Sequence, residues 1–321
     1  MHSALIFLLC FAFGFQPDIN SSDVQRKKKN PAISMYPDPV PEGEIQSLTL
    51  PLKRAGNLIL LEVMVDGVRG NFILDTGAPH LVLNTTYFRK LNTYGEVYAA
   101  GITGRAGQGE QVRVDSLDFG GILFRNVDAD RINLGHLEEK KGVRILGLLG
   151  LNLFKYLELQ INLRENVVSI HRLNRNGQLI KTDSLHQVAP AHSLQLENEN
   201  GLLILNGRIN NKRIRFYIDT GAESCILHSG ASKKVFESFT LKSTARLNGS
   251  GGKTIEVATG YLSNIQLGSL RLRRIPVTVA NLNGLSSLYQ THIDGMLGYE
   301  FLNTGIISIN QYNRSIYIWE G

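Results

Sequence analysis

Residues 57–171 and 201–319 of this chain repeat each other, so any fold for it must be built twice. A shift of 144 lays residues 58–75 on 202–219. Phe72-Ile73-Leu74-Asp75-Thr76-Gly77-Ala78 then falls on Phe216-Tyr217-Ile218-Asp219-Thr220-Gly221-Ala222, Val82-Leu83 on Ile226-Leu227, and Gly107 on Gly251. Beyond that glycine the second copy gains four residues. At a shift of 148, Phe119-Gly120 matches Leu267-Gly268, Ile145, Gly147, Leu149 and Gly150 match Ile293, Gly295, Leu297 and Gly298, and Ile161-Asn162 matches Ile309-Asn310. Self-similarity over most of a 321-residue chain predicts two like domains, each long enough to bury its own core.

Each copy reads as strands. Residues 112–119 and 254–267 alternate apolar and polar between glycines, Asp66-Gly67 marks a turn, and residues 167–170 and 315–319 close the copies with β-branched and aromatic side chains. Helical stretches are short, at 152–157, 229–238 and a turn near Glu300-Phe301. The expected fold class is all-β, in two similar lobes. The expected domains are a signal peptide at 1–15, a flexible linker at 16–45, an N-terminal lobe at 46–171, an inter-lobe linker at 172–200 and a C-terminal lobe at 201–321.

Residues 4–15 are an almost unbroken apolar run, too short to span a bilayer, with small residues Ala12 and Gly14 at its end. Export to a periplasmic or extracellular place is expected, with cleavage near Phe15. Leu9 before Cys10 is too large for a lipoprotein signal. No later run is long and apolar enough for a transmembrane helix. After such cleavage Cys225 is the one cysteine left, so no internal disulfide forms, and it reads as a small core residue. The net charge of +6 belongs to the second half, in runs such as Lys212, Arg213, Arg215 and Arg271, Arg273, Arg274. Basic residues alternating along strands mark a solvated face, and without interleaved aromatics or a recognition element they do not point to nucleic acid.

The repeated Asp-Thr-Gly follows an apolar strand in both copies. The strand carries a carboxylate into a buried place, threonine offers a hydroxyl, and glycine lets the main chain turn and approach a partner closely. One aspartate alone would read as a turn residue held by backbone amides; two at matched positions point to a shared site. Other chemistries fail. Leu247 replaces the first glycine a phosphate loop needs before Gly252-Lys253-Thr254, Asn248 replaces the outer glycine of a nucleophile elbow at Gly249-Ser250-Gly251, and the eight histidines lack His-Glu-x-x-His spacing.

The two loops resemble the active-site loops of aspartic proteases, the pepsin and retropepsin group. In that group each loop is paired with a later apolar-apolar-Gly segment, which Leu148-Leu149-Gly150 and Met296-Leu297-Gly298 match. The resemblance implies the two-lobed acid-protease fold with the site between the lobes. It implies Asp75 and Asp219 as the catalytic pair and Thr76, Gly77, Thr220 and Gly221 as loop supports. It also implies glycine-rich flaps over the cleft, with Gly104, Gly107, Gly251 and Gly252 as candidates; Tyr94 and Tyr98 lie near the first. The implied activity is that of an endopeptidase cutting a protein or peptide substrate with a water activated between the aspartates, with no metal or cofactor. A linker of about 30 residues is long enough for the lobes to pair within one chain, so a monomer is expected instead of lobes paired between chains. The alternative is a peptide-binding module of the same fold without activity.

Overall fold

The computed structural model describes residues 5–8, 12–14, 36–101, 104–249 and 254–320. The repeat seen in the sequence is a repeat in space. In the first lobe the strands run, in order across the sheet, Thr93–Gly101, Gly104–Asp118, Leu123–Ile132, Leu81–Asn84, Gly147–Leu149, Val68–Leu74 and Leu58–Val65. The second lobe repeats that order with Phe239–Gly249, Thr254–Leu267, Leu270–Ala280, Ile226–His228, Gly295–Leu297, Lys212–Ile218 and Leu202–Ile209. The predicted hairpin turn at Asp66-Gly67 has positive φ at both residues (47° and 77°), and Asn210-Asn211 repeats it (47° and 63°). Such turns match the twist of the strands they join and favour Gly, Asn and Asp.

A six-stranded layer joins the lobes, in the order His192–Glu199, Ser315–Trp319, Ile306–Asn310, Leu157–Asn162, Val167–Arg172, Ser47–Pro51. Its seam is the antiparallel pairing of Leu159 with Ile309 and Ile161 with Ile307. Two corrections to the sequence reading follow. The polar stretch 172–200 is not all linker, because His192–Glu199 is a strand pairing with both neighbours, while in the other half Ser47–Pro51 pairs with Val167–Arg172 at the edge of the layer. The end of the stretch read as a flexible linker, 36–45, is docked on the first lobe: Tyr36 Oη donates to Asp130 Oδ1 at 2.7 Å, Glu42 bridges to Leu123, and Arg172 Nη2 donates to Pro41 O at 2.7 Å. Residues 16–35 lie outside the described residues.

Helices are short, as expected, but two were missed: Gly135–Lys141 and Asn283–Tyr289, equivalent under the 148 shift. Seven residues opening on or near glycine give too little periodicity to register. Apolar clusters fill each lobe beneath its Asp-Thr-Gly loop. Leu58, Leu60, Ile73, Ala78, Val82 and Leu148 in the first correspond to Leu202, Ile204, Tyr217, Ala222, Ile226 and Met296 in the second. The basic residues behave as a solvated face: Lys212, Arg213, Arg271, Arg273 and Arg274 are exposed, while Ile214 and Leu272 between them are buried.

Two more strands come from the N-terminal apolar run. Leu5–Leu8 adds in parallel to Phe239–Gly249, and Ala12–Gly14 adds antiparallel to Thr93–Gly101. Each therefore occupies the outer edge of one long hairpin. Among the described residues no helix is long and apolar enough to cross a membrane.

Candidate active site

Each Asp-Thr-Gly loop is fixed by the strand before it and the apolar-apolar-Gly strand beside it. Gly147–Leu149 runs parallel to Phe72–Leu74, and Asp75 N donates to Leu149 O at 3.1 Å. Gly295–Leu297 does the same for Phe216–Ile218, with Asp219 N to Leu297 O at 3.1 Å. Glycine is required at the end of each of these strands by contact. A Cβ on Gly150 would stand 2.0 Å from His80 O, and one on Gly298 2.6 Å from Ala222 O.

The lobes meet through the threonines. Thr76 N donates to Thr220 Oγ1 at 2.9 Å and Thr220 N to Thr76 Oγ1 at 3.0 Å. Each hydroxyl then donates onward to the opposite lobe, Thr76 Oγ1 to Ile218 O at 3.1 Å and Thr220 Oγ1 to Leu74 O at 2.9 Å. All four bonds are buried. This reciprocal lock brings Asp75 and Asp219, both 0% exposed, to one place. A Cβ on Gly77 would lie 2.8 Å from Asp75 Oδ1 and 2.9 Å from Asp219 Oδ1, and one on Gly221 2.6 Å from Asp75 Oδ1. Any side chain at either glycine would displace a carboxylate.

Asp75 Oδ1 accepts from Gly77 N at 2.8 Å and Ala78 N at 3.2 Å, and Asp219 Oδ1 accepts from Gly221 N at 2.8 Å. Burial, and then the charge of Asp219, push the Asp75 carboxyl well above the ordinary carboxylate range, against the pull of its amide donors. Two carboxyl groups this close and this dry hold a proton between them.

The sequence reading placed Asp75, Thr76, Gly77, Asp219, Thr220 and Gly221 in one cluster, and they are together. Gly104 and Gly107 lie on the second strand of the long hairpin whose first strand is Thr93–Gly101, paired with Gly101 and Ala99. Gly251 and Gly252 lie outside the described residues. Tyr94 stands on that hairpin with its hydroxyl 2.9 Å from Asp128 Oδ1. Cys225 is buried, and burial raises its thiol well above the usual value, so it is an inert core group. Missed entirely was a second inter-lobe tie. Buried Glu223 receives Asn57 N at 2.9 Å and pairs with Lys141 Nζ at 2.6 Å. Its counterpart in the first copy is Pro79, so the repeat carries no signal for it.

Comparisons with known proteins bear on the family and the fold. No curated protein matches the sequence. Among solved structures, the crystal structure of a retropepsin-like aspartic protease from Rickettsia conorii is 17% identical, covering 41% of this chain and 95% of that one, with a TM-score of 0.28. The crystal structure of Basic 7S globulin from soybean is 12% identical, covers 86% of this chain and 95% of its own, and has a TM-score of 0.51, a likeness of fold. The model of the aspartyl protease family matches twice, at residues 61–153 and 205–301, once on each repeat and over more than half of the chain. With both copies matched, the chain belongs to the aspartyl protease family.

Proposed function

We propose that this protein is an aspartic endopeptidase in which Asp75 and Asp219 act as one dyad. The observation carrying this reading is the reciprocal threonine lock, which sets both buried carboxylates against both glycines. A pair that shares one proton offers a base and an acid together. The ionised carboxylate takes a proton from a water, the protonated one polarises the scissile carbonyl, and the exchange reverses to protonate the leaving nitrogen. The two long hairpins support an extended peptide as substrate, since each already takes an extended segment onto its outer strand. The test is digestion of casein or a peptide library with and without a statine-type inhibitor; inhibitor-insensitive cleavage, or none, opposes the reading.

The pH dependence follows from the position after each glycine. Ala78 and Ala222 are buried at 0% and 1% exposure, and neither side chain can donate a hydrogen bond. A hydroxyl there would stabilise the ionised carboxylate and let the shared proton leave at lower pH. Without it the proton stays to higher pH, in the direction burial and Asp219 already push Asp75. Since the active form carries that proton, the alkaline limb of kcat/KM is displaced upward, and a maximum at roughly pH 5 to 7 is expected. Ala78→Ser with Ala222→Ser should move that limb acidward. A wild-type maximum below about pH 3, or an unmoved limb, contradicts the argument.

Export is part of the same proposal. Removing the apolar run would also clear Leu5–Leu8 and Ala12–Gly14 from the hairpin edges. N-terminal sequencing of the mature protein should begin near Phe15; intact Met1 in the cytoplasmic fraction rules it out.

A further inference from the structure

The six-stranded layer between the lobes carries a second cluster of polar groups, away from the aspartates in sequence and unused by the chemistry above. His171, on the strand Val167–Arg172, is 1% exposed. Its Nδ1 lies 2.9 Å from Ser47 Oγ, and its Nε2 has no hydrogen-bond partner and stands 3.5 Å from Asp183 Oδ2. His186, on the single turn Leu185–Gln187, puts Nε2 2.9 Å from Glu158 Oε1 and Nδ1 2.6 Å from Asp183 Oδ1. The imidazole rings stand edge to face with centroids 4.9 Å apart. One nitrogen of each histidine and a carboxylate oxygen of Asp183 lie within 4.8 Å of one another.

Glu158 accepts from Ser308 Oγ at 2.5 Å and Asn310 Nδ2 at 2.9 Å as well as facing His186. With Glu158 behind Nε2, the other ring nitrogen of His186 faces Asp183. With Ser47 behind Nδ1 of His171, its buried Nε2 faces the same carboxylate with no hydrogen-bond partner. One nitrogen of each ring and the Asp183 carboxylate thus converge on one point.

We propose that His171 Nε2, His186 Nδ1 and the Asp183 carboxylate form a site for a borderline divalent cation, Zn2+ in the first place. Two imidazoles and one carboxylate suit that ion, and tetrahedral bonds of about 2.0–2.2 Å require ligand atoms roughly 3.4 Å apart, within small side-chain rotations of those seen. Ser47 and Glu158 hold the other ring nitrogens, as groups behind metal-bound histidines do. Asp183 is 32% exposed, so the fourth position opens toward solvent for a water. Glu158 bonds Ser308 and Asn310 of the other repeat, so a cation here would pin the inter-lobe connection to the seam of the layer. The site would act on lobe geometry, and it stands whether or not the aspartates cleave peptides.

The test uses the full chain with no histidine tag, stripped by chelator and titrated with Zn2+ by calorimetry and with Co2+ by visible absorption. One equivalent should bind, Co2+ should show the intense bands of a four-coordinate site, and saturating Zn2+ should raise the Tm by on the order of 5 °C. Asp183→Asn and His186→Gln should each weaken binding at least tenfold and remove the Tm rise, and Glu158→Gln should weaken it about tenfold or more. His292→Ala, at the exposed His292–Asp294 pair, should change nothing. Should His186→Gln not fold, Asp183→Asn decides, because Asp183 lies partly exposed in the connection. Absence of stoichiometric Zn2+ binding means a shared proton fills the cluster and overturns the proposal, as does binding that persists unchanged in Asp183→Asn.

Discussion

Asp75→Asn and Asp219→Asn should each lower kcat/KM for peptide cleavage by roughly ten-thousand-fold or more, and the double variant should lose little beyond either single one. Groups that act as a unit are not additive: once one carboxylate is gone, the shared proton and the water it steers are gone with it. Loss of activity must be separated from loss of fold, and electrostatics supplies the means. An asparagine keeps an oxygen to accept from Gly77 N and Ala78 N, or from Gly221 N, while removing a buried charge. The Asp75 carboxyl is raised in the folded protein, first by burial and then by Asp219. The native state therefore holds its proton more tightly than the unfolded chain does. Stability is then fully present below the unfolded value near about pH 3.9 and declines as pH rises through the folded value. Asp75→Asn escapes that decline. Its Tm should match or exceed the wild type at neutral pH, with the difference closing in acid. An inactive Asp75→Asn that melts lower than the wild type at neutral pH would show a damaged fold instead of a missing dyad. Substantial cleavage by either single variant would refute the dyad itself.

The order in which the chain could be read reflects where its information is local. The repeat was legible because both copies keep the residues that meet at the two-fold: Asp-Thr-Gly and the apolar-apolar-Gly strand. A shift of 144 residues therefore predicts which atoms are neighbours, down to Thr76 on Thr220. What breaks the two-fold was silent. Glu223 faces Asn57 and Lys141 with Pro79 as its counterpart, and only the fold puts those three together. The polar run 172–200 hid a strand because His192–Glu199 buries little more than Leu194 and Leu196, and alternation that weak resembles a linker. His171 and His186 sat fifteen positions apart, one closing a strand and one in a connection, with no ligand spacing to mark them. Their approach depends on how the connection returns over the seam, which is tertiary information.

The other large effect concerns the threonine lock. Thr76→Val and Thr220→Val should each destabilise the protein by about 2–5 kcal/mol and reduce kcat/KM about a hundredfold. Valine keeps the branched shape and the buried volume, so packing changes little and the hydroxyl is what is lost. In Thr76→Val, Thr220 N and Ile218 O lose their partner; in Thr220→Val, Thr76 N and Leu74 O do. All are buried, where each unmet group costs about 1–3 kcal/mol. The bonds removed by the two substitutions are different, so simple bookkeeping predicts additive losses. Geometry predicts otherwise. Both sets of bonds close the same contact between lobes, and if the first substitution lets that contact relax and admit water, the second finds its partners already solvated. The double variant should therefore lose less than the sum of the singles. Thr→Ser at either position keeps the hydroxyl and should cost well under half as much. Activity should follow stability in this series only in part, because an error of about 1 Å in the placement of Asp75 against Asp219 is enough to cost about a hundredfold without unfolding anything. Urea unfolding and kcat/KM on the same five variants give both readouts. Thr→Val variants within about 1 kcal/mol of the wild type, or Thr→Ser variants as damaged as Thr→Val, would show that the hydroxyls do not hold the lobes together.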